Sequence, residues 1–321
     1  MRLVSFALGL ALALLAAATT VASAGPYYNS IEPGCNGSDP NVLLCDDFED
    51  GVWYGRDGDH AIAEDDGWFG TIYANPVTPA NAIRCGAGVT PFGNCAASGG
   101  THSGQGGRNM AQHRLKVGSC GTDGRQYCNV PEVYVRWYAK WDPGYQFGGE
   151  KHMNITNGDG DIAFANVQLN CATGGASPTA SPYVQVIHGR VNEPGNCGPQ
   201  NQGSAITIQS GRWYFFEMHV RAGSSGLIEL WVNDCGPAGT SCGSSPTLRT
   251  RLTGNFPGNA VGSQIQTIWL ENWANPASSG TGPLWDQLKV SRVGPIGFAG
   301  SGGGQVADSV PPATPGGPTL R

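Results

Sequence analysis

The stretch Val133-Tyr134-Val135-Arg136-Trp137-Tyr138-Ala139-Lys140-Trp141 alternates without a break. A β-strand turns successive side chains to opposite faces. One face here carries Val133, Val135, Trp137, Ala139 and Trp141, and the other carries Tyr134, Arg136, Tyr138 and Lys140. The first set is a core face. The second is aromatic and charged, as a surface is.

The same period recurs along the chain. In 164–170, Ala165, Val167 and Leu169 oppose Asn166, Gln168 and Asn170. In Trp213–Arg221 the apolar face is Tyr214, Phe216, Met218 and Val220. Ile228, Leu230 and Val232 follow, then Ile268 and Leu270 against Trp269, Glu271 and Trp273, then Leu288 and Val290. Short alternating runs divided by Gly, Pro, Asn and Ser predict an antiparallel sandwich with one face of each sheet packed. A wet face of Asn, Gln, Arg, Tyr and Trp suits a sugar groove. It equally fits an ordinary solvated sheet face.

Composition points the same way. The chain has 321 residues, with 50 Gly, 22 Pro and only 13% charged residues, which excludes a coiled coil or helical bundle. Nine Trp, 10 Tyr and 10 Phe can fill a sizeable core, which excludes a disordered chain. The formal charge is −6 and no basic run exists, so nucleic acid is not an expected partner.

Residues 1–24 read as a secretory signal: Met1-Arg2, an apolar run, then Ala22-Ser23-Ala24 as the cleavage site. No other run approaches the ~18 apolar residues of a membrane span. One sandwich domain is expected over 25–298, and a Gly-, Ser- and Pro-rich tail or linker over 299–321. The expected localisation is extracellular or periplasmic. Oligomeric state is not legible.

The 10 cysteines form sequence neighbours: Cys35/Cys45, Cys85/Cys95, Cys120/Cys128, Cys171/Cys197 and Cys235/Cys242. An even count in an exported chain predicts five local disulfides, each stiffening a loop. No Cys-x-x-Cys and no pair of His at ligand spacing supports a zinc site.

Four stretches resemble the concanavalin A-like lectin/glucanase superfamily, a jelly-roll β-sandwich of two antiparallel sheets. They are Leu44-Cys45-Asp46-Asp47-Phe48-Glu49-Asp50-Gly51, Tyr134–Tyr138 running on to Gly148-Gly149-Glu150-Lys151-His152, Gly211–Glu217 leading to Gly226–Asp234, and Trp285–Ser291. The second is similar to a segment of secreted bacterial polysaccharide lyases of the alginate and glucuronan lyase type. It departs from their Lys-Leu-Pro-Gly continuation, reading Lys151-His152-Met153-Asn154. The Glu-x-Asp-x-Glu strand of the retaining glucanases is absent, since Glu229-Leu230-Trp231-Val232-Asn233 holds one carboxylate where that mechanism needs two.

The leading expectation is a lyase that cleaves a uronate-containing polysaccharide by β-elimination. That reaction needs a group to neutralise the carboxylate, a base for the α-proton and an acid for the leaving oxygen. Arg136, Lys140, Asn166 and Gln168 are candidates for the carboxylate; Lys151, His152 or His188 for the base; Tyr138 or Tyr183 for the acid. Asn154, Gln185, Arg190, Trp269 and Glu271 complete the expected binding set. A non-catalytic lectin-like module is the main alternative. Behind it stand a hydrolase using Glu150, Glu217 or Glu271, and a structural envelope protein. Elimination of this kind requires no cofactor. The hard oxygens of Asp47, Glu49 and Asp286 would suit a structural calcium ion, although a solvated acidic turn is the favoured reading. A second acidic turn, Asn157-Gly158-Asp159-Gly160-Asp161, lacks two EF-hand landmarks, with Ile162 and Gln168 standing where Gly and Glu are needed.

Overall fold

The computed structural model describes residues 27–51, 68–69, 82–103, 106–107, 111–118, 120, 128–156, 163–170, 175–185, 206–256, 265–274 and 278–299. Two sheets enclose one core, as the alternation predicts. Sheet I runs in the order Tyr28–Asn29, Val42–Asp46, Leu284–Ser291, Glu132–Lys140, Trp213–Arg221, Gly223–Gly236, Leu248–Phe256. Its pairs are antiparallel except the first, where Tyr28–Asn29 lies parallel to Val42–Asp46. Sheet II runs Pro182–Gln185, Ala163–Leu169, Glu150–Thr156, Thr267–Ala274, Ala111–Arg114, Trp68–Phe69, and is antiparallel throughout. The expected opening and closing strands pair directly, with Leu44 opposite Val290.

The inward faces are those read from the sequence. Val135, Trp137, Phe216, Met218 and Leu230 of sheet I meet Met153, Ile155, Val167, Ile268 and Leu270 of sheet II, all fully buried. Trp137 stacks on Phe216 with ring centroids 5.1 Å apart, which adds to the burial gain of the two rings.

Four of the five expected disulfides are present: Cys35–Cys45, Cys85–Cys95, Cys120–Cys128 and Cys235–Cys242. Cys171 and Cys197 lie outside the described residues, as do 1–24 and the tail from 300. Each observed bridge closes a short loop, and together they suit an oxidising compartment. Among the described residues no helix is long and apolar enough to cross a membrane.

Candidate functional site

The outward face of sheet II is built by register. Gln112, Trp269, Asn154 and Asn166 stand opposite one another on four adjacent strands, and Gln185 occupies the same position on the fifth. Trp273, Lys151, Gln168 and Tyr183 form the adjacent row. Cross-strand partners share a face, so each row is a line of side chains perpendicular to the strands. Seven expected binding or catalytic residues are thus brought together, Lys151, Asn154, Asn166, Gln168, Tyr183, Trp269 and Glu271, with Gln185 at the matching register position.

This face is polar yet shut from water. Asn154 is 2% exposed, Asn166 0%, Gln112 1%, Trp269 4% and Glu271 1%. The side chains are chained together. Asn166 Nδ2 donates to Asn154 Oδ1, and Asn154 Nδ2 donates to Glu271 Oε2. The other Glu271 oxygen lies 3.6 Å from Lys151 Nζ. Burial pushes the Glu271 carboxyl above its usual range, and the Lys151 charge and the Asn154 hydrogen bond pull it back in part. In the second row the Tyr183 hydroxyl donates to Gln168 Oε1, and burial pushes the Tyr183 phenol up to about 12.

The hydrogen bonding is incomplete. Asn166 Oδ1, Gln112 Oε1 and Trp269 Nε1 are buried and find no hydrogen-bond partner among the described residues. Buried polar atoms are nearly always paired, so three orphans on one row call for a partner, water or ligand, to complete them.

Other expected residues lie elsewhere. His152 is corrected from a turn base to a core residue. It belongs to the Glu150–Thr156 strand, where the register slips between Lys151 and Met153. The bulge consumes one residue, so the alternation that sends Lys151 and Asn154 outward leaves both His152 and Met153 facing in. His152 Nε2 accepts from Trp137 Nε1 at 3.0 Å, its ring stacks on Trp285 at 5.7 Å, and burial pushes its pKa down to about 3.

Arg136, Tyr138 and Lys140 face outward from sheet I, across the whole core from Asn166 and Gln168. They cannot share a ligand with sheet II, because the two outer faces point in opposite directions. Arg136 is buried and fully engaged: it pairs with Glu32 at 2.5 Å and donates to the Gln287 carbonyl from Nε and a terminal nitrogen. Gln287 holds φ at 51° in the irregularity between Asp286 and Lys289, and this re-aims its carbonyl at the guanidinium. The Tyr138 hydroxyl accepts from the Ala299 amide at 2.9 Å, and burial pushes its pKa up to about 12. Lys140 Nζ sits 5.8 Å from the Trp213 ring centre. His188 and Arg190 lie outside the described residues.

The hydrolase carboxylates fall in three different layers. Glu150 points inward and accepts from Tyr145 and Ser278, Glu217 faces out of sheet I, and Glu271 faces out of sheet II. No two of them flank a common point as a glycosidase pair must.

The acidic residues of the opening segment are also spoken for. Asp47 accepts from the Ile31 and Glu49 amides, and Glu49 from the Asn94 and Cys95 amides. Asp286 bonds to Thr90 and the Gln287 amide, and burial, aided by the charges of Asp47 and Glu49, pushes it up to about 8. Among the described residues no group of three or more His, Cys, Asp or Glu is gathered to hold a metal. The turn 157–161 lies outside those residues.

Sequence reading missed the strand Ala111–Arg114, which supplies Gln112 and Arg114 to the site face. Its signal was present: Ala111, His113 and Leu115 alternate with Gln112 and Arg114. A buried His at the middle inward position, edge-on to Trp68 at 5.1 Å, disguises the pattern as wholly polar.

No family model and no curated protein matches the chain. Among solved structures, the PL-14 alginate lyase from Aplysia kurodai is similar at 10% identity and a TM-score of 0.40, over 62% of this chain and 84% of that one. Alginate lyase vAL-1 from Chlorella virus is similar at 13% identity and a TM-score of 0.36, over 66% and 92%. The CBM2 module of the evolved Dit of Lactobacillus casei BL23 phage J-1 is similar at 12% identity and a TM-score of 0.41, over 79% and 97%. These likenesses concern overall architecture alone, and the chemistry rests on this chain's own residues.

Proposed function

We propose that the outer face of sheet II binds an acidic polysaccharide and cleaves it by β-elimination outside the cytoplasm. The observation that supports this most is a polar sheet face on which Asn166 Oδ1, Gln112 Oε1 and Trp269 Nε1 lack partners beside the part-exposed Lys151. Carbohydrate is the ligand class whose hydroxyls and ring faces match a line of amides and indoles.

The reaction is assigned to the second row. The Gln168 amide meets the uronate carboxylate, which makes its α-proton acidic. Lys151, as the neutral amine, takes that proton. The electron pair left behind forms a carbon–carbon double bond, and the neighbouring carbon–oxygen bond breaks. The departing oxygen takes the Tyr183 proton. Burial keeps that phenol protonated at neutral pH, the state a general acid needs. The Lys151 ammonium so formed is held by Glu271 at 3.6 Å.

A lectin-like binding module is the second reading. One observation favours it: the imidazole best suited to neutral-pH proton transfer, His152, is locked in the core. Ultraviolet absorbance of the unsaturated uronate product separates the two. Purified protein is mixed with a panel of uronate polymers, and Lys151→Ala and Tyr183→Phe are run beside it. A rise lost in both variants supports elimination. Retardation on polysaccharide gels with no rise supports binding alone.

A further inference from the structure

We infer that Asn166 and Gln112 form a hydroxyl-accepting subsite that rejects carboxylate, and that the fitting polymer mixes neutral residues with uronates. This rests on the carbohydrate reading above and adds the specificity of one row.

Glu271 sets the order of the relay. An ionised carboxylate only accepts hydrogen bonds. Asn154 must therefore turn its Nδ2 toward Glu271, which leaves its Oδ1 facing Asn166. Asn166 must then donate from Nδ2, and its own Oδ1 becomes the end of the relay. That oxygen is the atom found buried and unpaired, and Gln112 Oε1 in the same row is the second. The lysine at 3.6 Å favours the ionised carboxylate on which this order depends.

Two acceptors on one row want donors. A sugar hydroxyl supplies one. A uronate carboxylate does not, and placing it there sets lone pair against lone pair in a water-poor site. The second row, with the Gln168 amide, takes the carboxylate instead. Gln112 and Asn166 are three strand spacings apart, roughly 14 Å. Each spacing is close to the length of one sugar residue in an extended chain, so the row spans several residues of a polymer lying across the strands. Trp269, between them, adds a third unpaired atom, Nε1. Glu271 and Asn154 are positioning residues here: they set which end of the Asn166 amide faces the sugar.

The test is affinity for two polymers, measured by calorimetry on the intact protein. One is a homopolymer of uronate. The other alternates uronate with neutral residues. Wild type is expected to prefer the alternating polymer by about tenfold, the effect of satisfying rather than opposing a buried acceptor. Glu271→Gln lets the relay invert, because the new amide can donate to Asn154. Asn166 then presents its nitrogen, and the preference should shrink to within about threefold. Asn166→Ala removes the acceptor without touching the charge, and should lower affinity for the alternating polymer while leaving the homopolymer unchanged. A wild type that binds both polymers equally overturns the inference. So does a preference that survives in both variants, each checked for an unchanged melting temperature. Binding to neither polymer, nor to any other in the panel, sinks the carbohydrate reading itself.

Discussion

The outer faces of the two sheets look alike in sequence and differ in one physical respect. Both are polar, and both are largely buried. On sheet I the polar groups answer each other. Arg136 meets Glu32 and the Gln287 carbonyl. Glu217 accepts the Ile296 and Gly297 amides at 2.7 and 2.9 Å. His219 lies between Glu132 and Glu229, with its ring stacked on Tyr134, and Arg251 closes the chain on Glu229. Burial pushes Glu229 up, but the hydrogen bonds from His219 and Arg251 outweigh it and hold the carboxyl below its usual range. Residues 294–299 lie over this face as a strap, with Phe298 edge-on to Phe215 at 4.7 Å. On sheet II the relay ends in orphan atoms. Polarity alone therefore does not mark a binding face. What sets the sheet II face apart is that its hydrogen bonding is unfinished.

Arg136→Ala gives the strongest test of this contrast. It strands Glu32 and the Gln287 carbonyl in a nearly dry setting, and should cost about 3–5 kcal/mol in denaturant unfolding. Polymer affinity of the folded fraction should stay at the wild-type value. Loss of affinity without loss of stability would place ligand chemistry on sheet I and erase the distinction.

Trp269→Ala is the mirror experiment on sheet II. Removing a ring and an unpaired donor from the centre of the row should weaken polymer affinity by about tenfold. Stability should fall by a similar amount, about 3–5 kcal/mol, because a buried ring is removed, so affinity is read on the folded fraction. Calorimetry and a melting curve on the same sample decide it.

Tyr138→Phe sharpens the contrast further. The phenol accepts from the strap at Ala299, so its loss should cost about 1 kcal/mol and leave product formation intact. A large fall in turnover would restore Tyr138 as the acid.

The smallest effect is in pH dependence. The Glu217 carboxyl sits above its ordinary value of 4.5, chiefly through burial, with the two strap amides opposing. The folded state thus holds this proton more tightly than the unfolded state. Its contribution is fully present below pH 4.5 and is lost as pH rises through the folded value. Glu217→Gln should flatten that decline in a stability-against-pH series while leaving the pH profile of binding unmoved. A shift in the binding profile instead would connect the two faces.

Much of the sandwich was legible because burial writes a period of two into each strand. Val133–Trp141 and Trp213–Arg221 sort into core and surface with no knowledge of their neighbours. Four of the five expected disulfide pairs were legible for a related reason, since short loops bring sequence neighbours together. Which wet face belongs to which sheet was not legible. Arg136 and Asn166 both stand on polar strand faces, and only strand pairing shows that Arg136 lies opposite Glu217 and Lys289 while Asn166 lies opposite Asn154.

Local alternation is thus a property of each strand alone, and the sequence by itself determined it: an all-β chain, its core residues and its local bridges. Sheet order, the bulge that turned His152 inward and the partners that quiet Arg136 are long-range. They depend on contacts between segments more than a hundred residues apart, such as Arg136 with Gln287 and Asn154 with Glu271. No local pattern encodes such contacts, because the free energy that selects them belongs to the packed whole.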